Sequence, residues 1–197
     1  TLELIIEANL NMDLLGYARI DILYKQQDMI DLMAEAGFTA TYFGVESGDQ
    51  SILKAMDKNF NIEKSVPEVL IKLKKHGIDV WASFIFGFPG ETEHTIKNTT
   101  DFIVSRNFTV LDLHALQVVP GTPLDLKREK YGLKTLGNFW AHPTMSIREI
   151  PELMRKVFID IYPNCESSVL HIRDHLGKYF PQKDNSNETT RAIDRCL

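Results

Sequence analysis

The chain has 197 residues, 44% hydrophobic and 25% charged, enough for one domain with a sizeable core and too apolar for the disordered or collagen-like classes. Its formal net charge of -5, from 22 basic and 27 acidic side chains, supplies no global basic field for a nucleic-acid backbone, so no nucleic-acid partner is indicated. The longest apolar run, near Val80 to Phe88, falls well short of the roughly 20 residues that span a bilayer, so no membrane partner is expected.

The first residues lack both an initiator methionine and the basic-then-apolar order of a secretory signal, which reads as a chain that begins inside a longer protein. Leu2 to Leu10 fits the tail of an earlier βα unit, with one or two strands expected upstream. From there apolar β-favouring runs alternate with helix-period segments, the pattern of repeated βα units on a parallel sheet. A first strand is predicted at Leu14 to Ile22, then a helix from about Gln26 to Ala36 closed by Gly37. A second strand, Thr39 to Val45, enters the turn Glu46-Ser47-Gly48 and a helix from about Gln50 to Met56. Ser65-Val66-Pro67-Glu68 reads as a capping box opening a helix that runs to His76 and stops at Gly77.

The third strand, Asp79 to Phe86, is apolar on both parities, as a doubly covered strand should be, and leads into Gly87-Phe88-Pro89-Gly90. A helix from about Glu93 to Ser105 and a fourth strand, Val110 to Val119, complete the alternation before Pro120-Gly121-Thr122-Pro123. Beyond it only helices are expected, near Leu124 to Tyr131, Arg148 to Tyr162 and Ser167 to Tyr179, followed by a polar tail. Cys165 and Cys196 are the two cysteines, too few for a disulfide framework, and favour a cytoplasmic address. The Asn-x-Ser/Thr triplets at Asn98, Asn107 and Asn187 carry no weight without a secretion signal.

Ligands of parallel α/β sheets collect at the carboxyl ends of the strands, which points to Arg19 and Asp21, Glu46 to Gly48, Gly87 to Thr92 and Gln117 to Thr122. Glu46 reads equally as a carboxylate for a ribose diol or ligand amine and as a cap for the next helix. Gly87 and Gly90 permit close ligand approach, but a plain left-handed turn is the preferred reading of the residues alone. Arg19 and Asp21, at one strand parity, fit either an ion pair inside a barrel or a ligand contact. His171 and His175 stand at i, i+4 on an expected helix without a third metal ligand nearby, so an exposed pair is the preferred reading. Trp140, His142 and Thr144 fit either a substrate path or a packed lid.

Five segments together resemble the radical S-adenosylmethionine superfamily. Phe43-Gly44-Val45-Glu46-Ser47-Gly48, with Lys58 a dozen residues on, is similar to its fourth-strand segment. Phe84-Ile85-Phe86-Gly87-Phe88-Pro89-Gly90-Glu91 is similar to its fifth-strand signature, and Val118-Val119-Pro120-Gly121-Thr122-Pro123 to its sixth. Gly16-Tyr17-Ala18-Arg19-Ile20-Asp21 resembles the third strand of members that carry a cobalamin-binding domain, and Trp140-Ala141-His142-Pro143-Thr144-Met145 a segment after the barrel in that group.

The resemblance implies an α/β fold, a partial (β/α) barrel of parallel strands over residues 1–145, with a helical extension at 146–180 and a tail at 181–197. It implies S-adenosylmethionine and a [4Fe-4S] cluster as cofactors of the full-length protein, cobalamin as a further candidate, and a small-molecule substrate. It places Glu46 against the ribose or methionine part, Lys58 near the carboxylate and Arg19 beside the methionine moiety. Ser83, Ile85, Gly87, Gln117 and Val118 would flank ribose and adenine. The family's three-cysteine motif is absent from this sequence, so the chain alone is expected to be inactive and no metal ligand is assigned to it. A non-catalytic binding module derived from such a barrel is the alternative. With strands missing upstream, the exposed sheet edge would favour self-association.

Overall fold

A computed structural model describes residues 1–106, 108–136, 139–164 and 169–173. Cys165, His175, Asn107, Asn187, Cys196 and the polar tail lie outside the described residues. A five-stranded parallel sheet runs in the order β1 (Leu14–Ala18), β2 (Phe38–Glu46), β3 (Asp79–Phe86), β4 (Val110–Ala115) and β8 (Val169–Arg173). The crossovers are made by α2 (Ile20–Lys25) and α3 (Asp28–Glu35), then α4 (Gln50–Ala55) and α5 (Ile62–Lys75), then α6 (Glu93–Val104), with α1 (Leu2–Ala8) ahead of β1. Consecutive strands pair in chain order through helical connections, the βαβ arrangement of a barrel portion.

One face of the sheet is the core. Phe43 and Val45 of β2, Val80, Ala82, Phe84 and Phe86 of β3, and Leu111 and Leu113 of β4 are all buried and cluster with Ile30, Leu53, Val66, Leu73 and Ile103 of the helices. The opposite face carries the other parity: Tyr42, Gly44 and Glu46, then Trp81, Ser83 and Ile85, then Asp112 and His114. These sit side by side, because Tyr42 pairs with Trp81, Gly44 with Ser83, Ser83 with Asp112, and Ile85 with His114. Alternation along a strand therefore sorts the core from the open face.

The sequence reading differs from this fold in five places. β1 stops at Ala18, because Ile20 and Leu23 bury themselves on a short helix, so Arg19 is an extended N-cap and Asp21 a first-turn helical residue. β4 ends at Ala115, with Gln117 to Val119 beyond it. Helix α5 begins a turn before the expected box, at Asn61, whose side chain accepts from the Lys64 amide, and Pro67 lies inside it. Reciprocal capping occurs instead at Thr92 with Thr95 and at Ser146 with Glu149. Finally, the region after Pro123 is not all helix. It holds α7 (Pro123–Leu126), a small antiparallel sheet of β5 (Lys134–Leu136), β6 (Phe139–His142) and β7 (Met145–Ser146), α8 (Ile150–Ile161), and β8, which contains His171 and extends the parallel sheet beside β4.

Candidate functional site

The carboxyl ends of β2, β3 and β4 form one rim. At β2 the ladder to β3 slips between Gly44 and Glu46, and Glu46 takes φ 72°, a left-handed conformation that a non-glycine residue adopts only when its surroundings hold it there. That bulge turns the Glu46 carboxylate back over the strand. The space a Cβ would take at Gly44 is filled by Glu46 Oε1, with Lys58 Nζ at 3.4 Å, so the two side chains fold down over the glycine and would have to shift for any larger residue. Lys58 Nζ donates to Glu46 Oε1 at 2.9 Å and to the Gly44 carbonyl at 2.8 Å, bridging the strand end from beyond α4. The pair is only partly exposed, at 33% for Lys58 and 19% for Glu46. Capping of α4 falls to Asp49, which accepts from the Ser51 and Ile52 amides, so Glu46 is free of the helix-cap role.

Ser83 and Ile85 project from β3 onto the same face, Ser83 level with Gly44 and Ile85 with His114. Gly87 follows at φ 98°. Both of its backbone groups are occupied: its amide donates to Glu91 Oε2 at 2.5 Å and its carbonyl lies 2.9 Å from His142 Nε2. A side chain there would meet Ile150 at 2.8 Å and Trp140 at 3.0 Å, so packing against the β6 strand and α8, together with its φ, requires this glycine. Glu91 is fully buried, accepts also from the Phe88 amide at 3.1 Å, and burial pushes its carboxyl up to about 7. Gln117, exposed, and Val118, half-buried, lie just past β4, where the Leu116 amide donates to the Phe86 carbonyl at 2.8 Å.

Arg19 stands one residue past the Ala18–Phe43 pair and makes a bidentate ion pair with Asp21, at 2.9 and 3.0 Å. The expected pair forms, but at a helix start with Arg19 73% exposed, so it does not brace a barrel interior. The structure thus joins Glu46 and Lys58 directly and aligns Ser83 and Ile85 with them. Gly87, Gln117 and Val118 stand at the adjoining strand ends. None of the eight lines the groove of about 950 Å³ between α6 and α8 or the smaller hollow beside α4 and the start of α5.

Two residues of the open face escaped the sequence reading. Asp112 is 3% exposed, accepts from the Tyr42 hydroxyl at 3.0 Å and approaches His114 Nε2 at 3.3 Å, while Tyr17 lies 4.9 Å from Tyr42 ring to ring. The signal was present as Asp-x-His at strand spacing, which puts a carboxylate and an imidazole on one face.

A model of the radical SAM superfamily matches residues 4–103. The hopanoid C-2 methylase of Rhodopseudomonas palustris is 31% identical over 123 residues, 62% of this chain and 21% of that protein. The tRNA-2-methylthio-N(6)-dimethylallyladenosine synthase of Buchnera aphidicola is 34% identical over 135 residues, 64% of this chain and 29% of that protein. These matches leave most of each relative uncovered: the chain spans about a fifth to a third of the curated relatives it resembles. Among solved structures, the radical S-adenosylmethionine methyltransferase TsrM of Kitasatospora setae, with cobalamin and a [4Fe-4S] cluster bound, superposes with TM-score 0.59 at 20% identity, over 70% of this chain and 29% of that one. The Elp3 protein of Methanocaldococcus infernus superposes with TM-score 0.64 at 16% identity, over 93% and 42%. At such identities the two structures establish the fold, the partial barrel expected from the sequence.

Proposed function

The chain belongs to the radical S-adenosylmethionine superfamily, and from that premise we propose that it supplies the adenosyl-binding and substrate-facing part of such an enzyme. Glu46 accepts hydrogen bonds from the ribose hydroxyls or the methionine ammonium, Lys58 pairs with the methionine carboxylate, and Arg19 stands beside the methionine moiety. Ser83, Ile85, Gln117 and Val118 flank ribose and adenine. Gly87 contributes surface there, and its amide, already bonded to Glu91, donates to no ligand. Asp112 and His114 face a small-molecule substrate on the same side of the sheet. The observation that carries this reading is the bulge at Gly44 and Glu46: a left-handed residue, a glycine over which its side chain folds and a bridging lysine hold one carboxylate over the rim.

The residues of this chain do not fit a [4Fe-4S] cluster. Its two cysteines form no three-cysteine motif, and among the described residues no three His, Cys, Asp or Glu side chains come together as a metal site. The cluster ligands belong to sequence outside this chain in the proposal, and the chain alone is inactive. The cluster, when bound, supplies the electron that cleaves the sulfonium of S-adenosylmethionine. Cobalamin enters as a further cofactor on the strength of the TsrM fold and of relatives named as methylases and methyltransferases. We place the end of the barrel unit after β8, since that strand pairs with β4. No helix among the described residues is long and apolar enough to cross a membrane, and a cytoplasmic address is part of the proposal.

The test is calorimetric titration with S-adenosylhomocysteine. Glu46→Gln is expected to weaken binding at least tenfold while the unfolding midpoint barely moves, because a partly exposed ion pair contributes only about 1 kcal/mol or less. Equal affinity of the two proteins would remove Glu46 from the site.

A second expectation concerns β1, an outer strand of the sheet with Leu15 and Tyr17 exposed by 53% and 83%. An unpaired, apolar strand edge templates association. Light scattering behind size exclusion should show oligomers growing with concentration, and a clean monomer at high concentration would contradict this.

A further inference from the structure

The β5 to β7 sheet reaches over the ends of two strands of the main sheet through donors two residues apart on β6. Trp140 and His142 share one face of that strand, their rings stacked at 5.2 Å and 4°. Trp140 Nε1 donates to the Leu116 carbonyl just beyond β4, at 3.0 Å. His142 Nε2 reaches the Gly87 carbonyl at the end of β3, at 2.9 Å. Thr144 Oγ1 accepts the Gly90 amide at 3.1 Å, which leaves its own proton for His142 Nδ1, also at 3.1 Å. This circuit fixes the tautomer: Nδ1 accepts from the threonine and Nε2 donates to Gly87.

We propose that Trp140 and His142 are positioning residues for the adenosyl site, two donors on one stack that set the spacing between the β3 loop and the end of β4. The inference rests on the adenosyl reading above. Both strand ends run into segments rich in glycine and proline, Gly87 to Gly90 on one side and Pro120 to Pro123 on the other, which have no regular ladder of their own. A ligand that had to order them on binding would lose affinity to that ordering. The stack removes the cost beforehand. Trp140 is 3% and His142 8% exposed, so their hydrogen bonds act where water does not compete.

Trp140→Phe keeps an aromatic ring in the stack and deletes one donor. His142→Gln keeps a donor for Gly87, whereas His142→Leu keeps bulk and loses both polar contacts. Thr144→Val removes the acceptor for Gly90 and the donor to His142 Nδ1 while leaving the His142 bond to Gly87 in place. With S-adenosylhomocysteine as the probe, the dissociation constant is expected to rise about fivefold to tenfold in Trp140→Phe and at least tenfold in His142→Leu, with substantial recovery in His142→Gln. Amide hydrogen exchange at Gly90 should accelerate in His142→Leu and Thr144→Val. If the wild-type chain binds the probe and the Phe and Leu variants bind it equally well, whatever their unfolding midpoints, the stack is structural only and the proposal fails. If the wild-type chain does not bind the probe at all, the adenosyl reading itself fails, and the positioning role falls with it.

Discussion

Replacing Gly87 by valine is expected to destabilise the fold by roughly 3 kcal/mol or more, among the larger effects open to a single substitution here. Two costs add. The backbone at φ 98° is one that L residues rarely adopt, which costs about 1 to 3 kcal/mol, and a branched residue suffers most. The new Cβ would also lie 2.8 Å from Ile150 Cδ1 and 3.0 Å from the Trp140 ring, in a region already closed by α8 and β6, and overpacking adds about 1 to 3 kcal/mol. Neither neighbour moves freely, since Trp140 is pinned to Leu116 and Ile150 is 6% exposed. Urea unfolding followed by circular dichroism measures the loss. A change below about 1 kcal/mol would mean that the loop tolerates a side chain and is held less tightly than its hydrogen bonds indicate.

Glu91 makes the stability of the chain depend on pH in an unusual direction. Burial outweighs its two backbone donors and lifts its carboxyl from 4.5 to about 7, so the folded state keeps a proton that the unfolded state has released. Stability from this group is whole below pH 4.5 and declines as pH climbs toward 7. The span corresponds to about 3 kcal/mol at roughly 1.4 kcal/mol per pH unit. His142 works in the opposite sense: burial holds it below the usual histidine range, so its contribution is present above pH 6.5 and is lost as pH falls. In the wild type the two slopes partly offset each other. Glu91→Gln retains an acceptor for Gly87 and Phe88 and deletes the charge, so it should gain on the wild type at pH 8 and leave a profile that only rises between pH 5 and 7. A variant with the wild-type profile would show that Glu91 is ionised in the fold at neutral pH.

β3 was legible to the residue because seven of the nine residues between Gly77 and Gly87 are apolar and admit no competing pattern. β1 was read too long, since Ile20, Ile22 and Leu23 serve a strand or a helix equally well and only their packing against the core decides. β8 was read as helix for a related reason: Val169 to Arg173 is five residues long, and its identity comes from pairing with β4, a contact more than fifty residues away in sequence. The β5 to β7 strands have two to four residues each, below what periodicity can register.

Of the candidate site, Glu46 and Lys58 were each singled out through the family resemblance as ligand contacts, whereas their ion pair with one another and the bulge that aims the carboxylate appear only in the structure. Gly87 was flagged as a ligand approach or a turn, and its dominant constraint proves to be the ring of Trp140. Trp140 and His142 attracted notice as a dense polar-aromatic stretch, but their donation to two strand ends depends on a tertiary contact that no local pattern encodes.

Chemical-shift mapping of the isotopically labelled chain during titration with S-adenosylhomocysteine tests the adenosyl cradle most directly. The account predicts saturable shifts concentrated at Glu46, Lys58, Ser83, Ile85, Gln117 and Val118. Shifts confined to the groove between α6 and α8, around Ile96, Leu153 and Lys156, would contradict it.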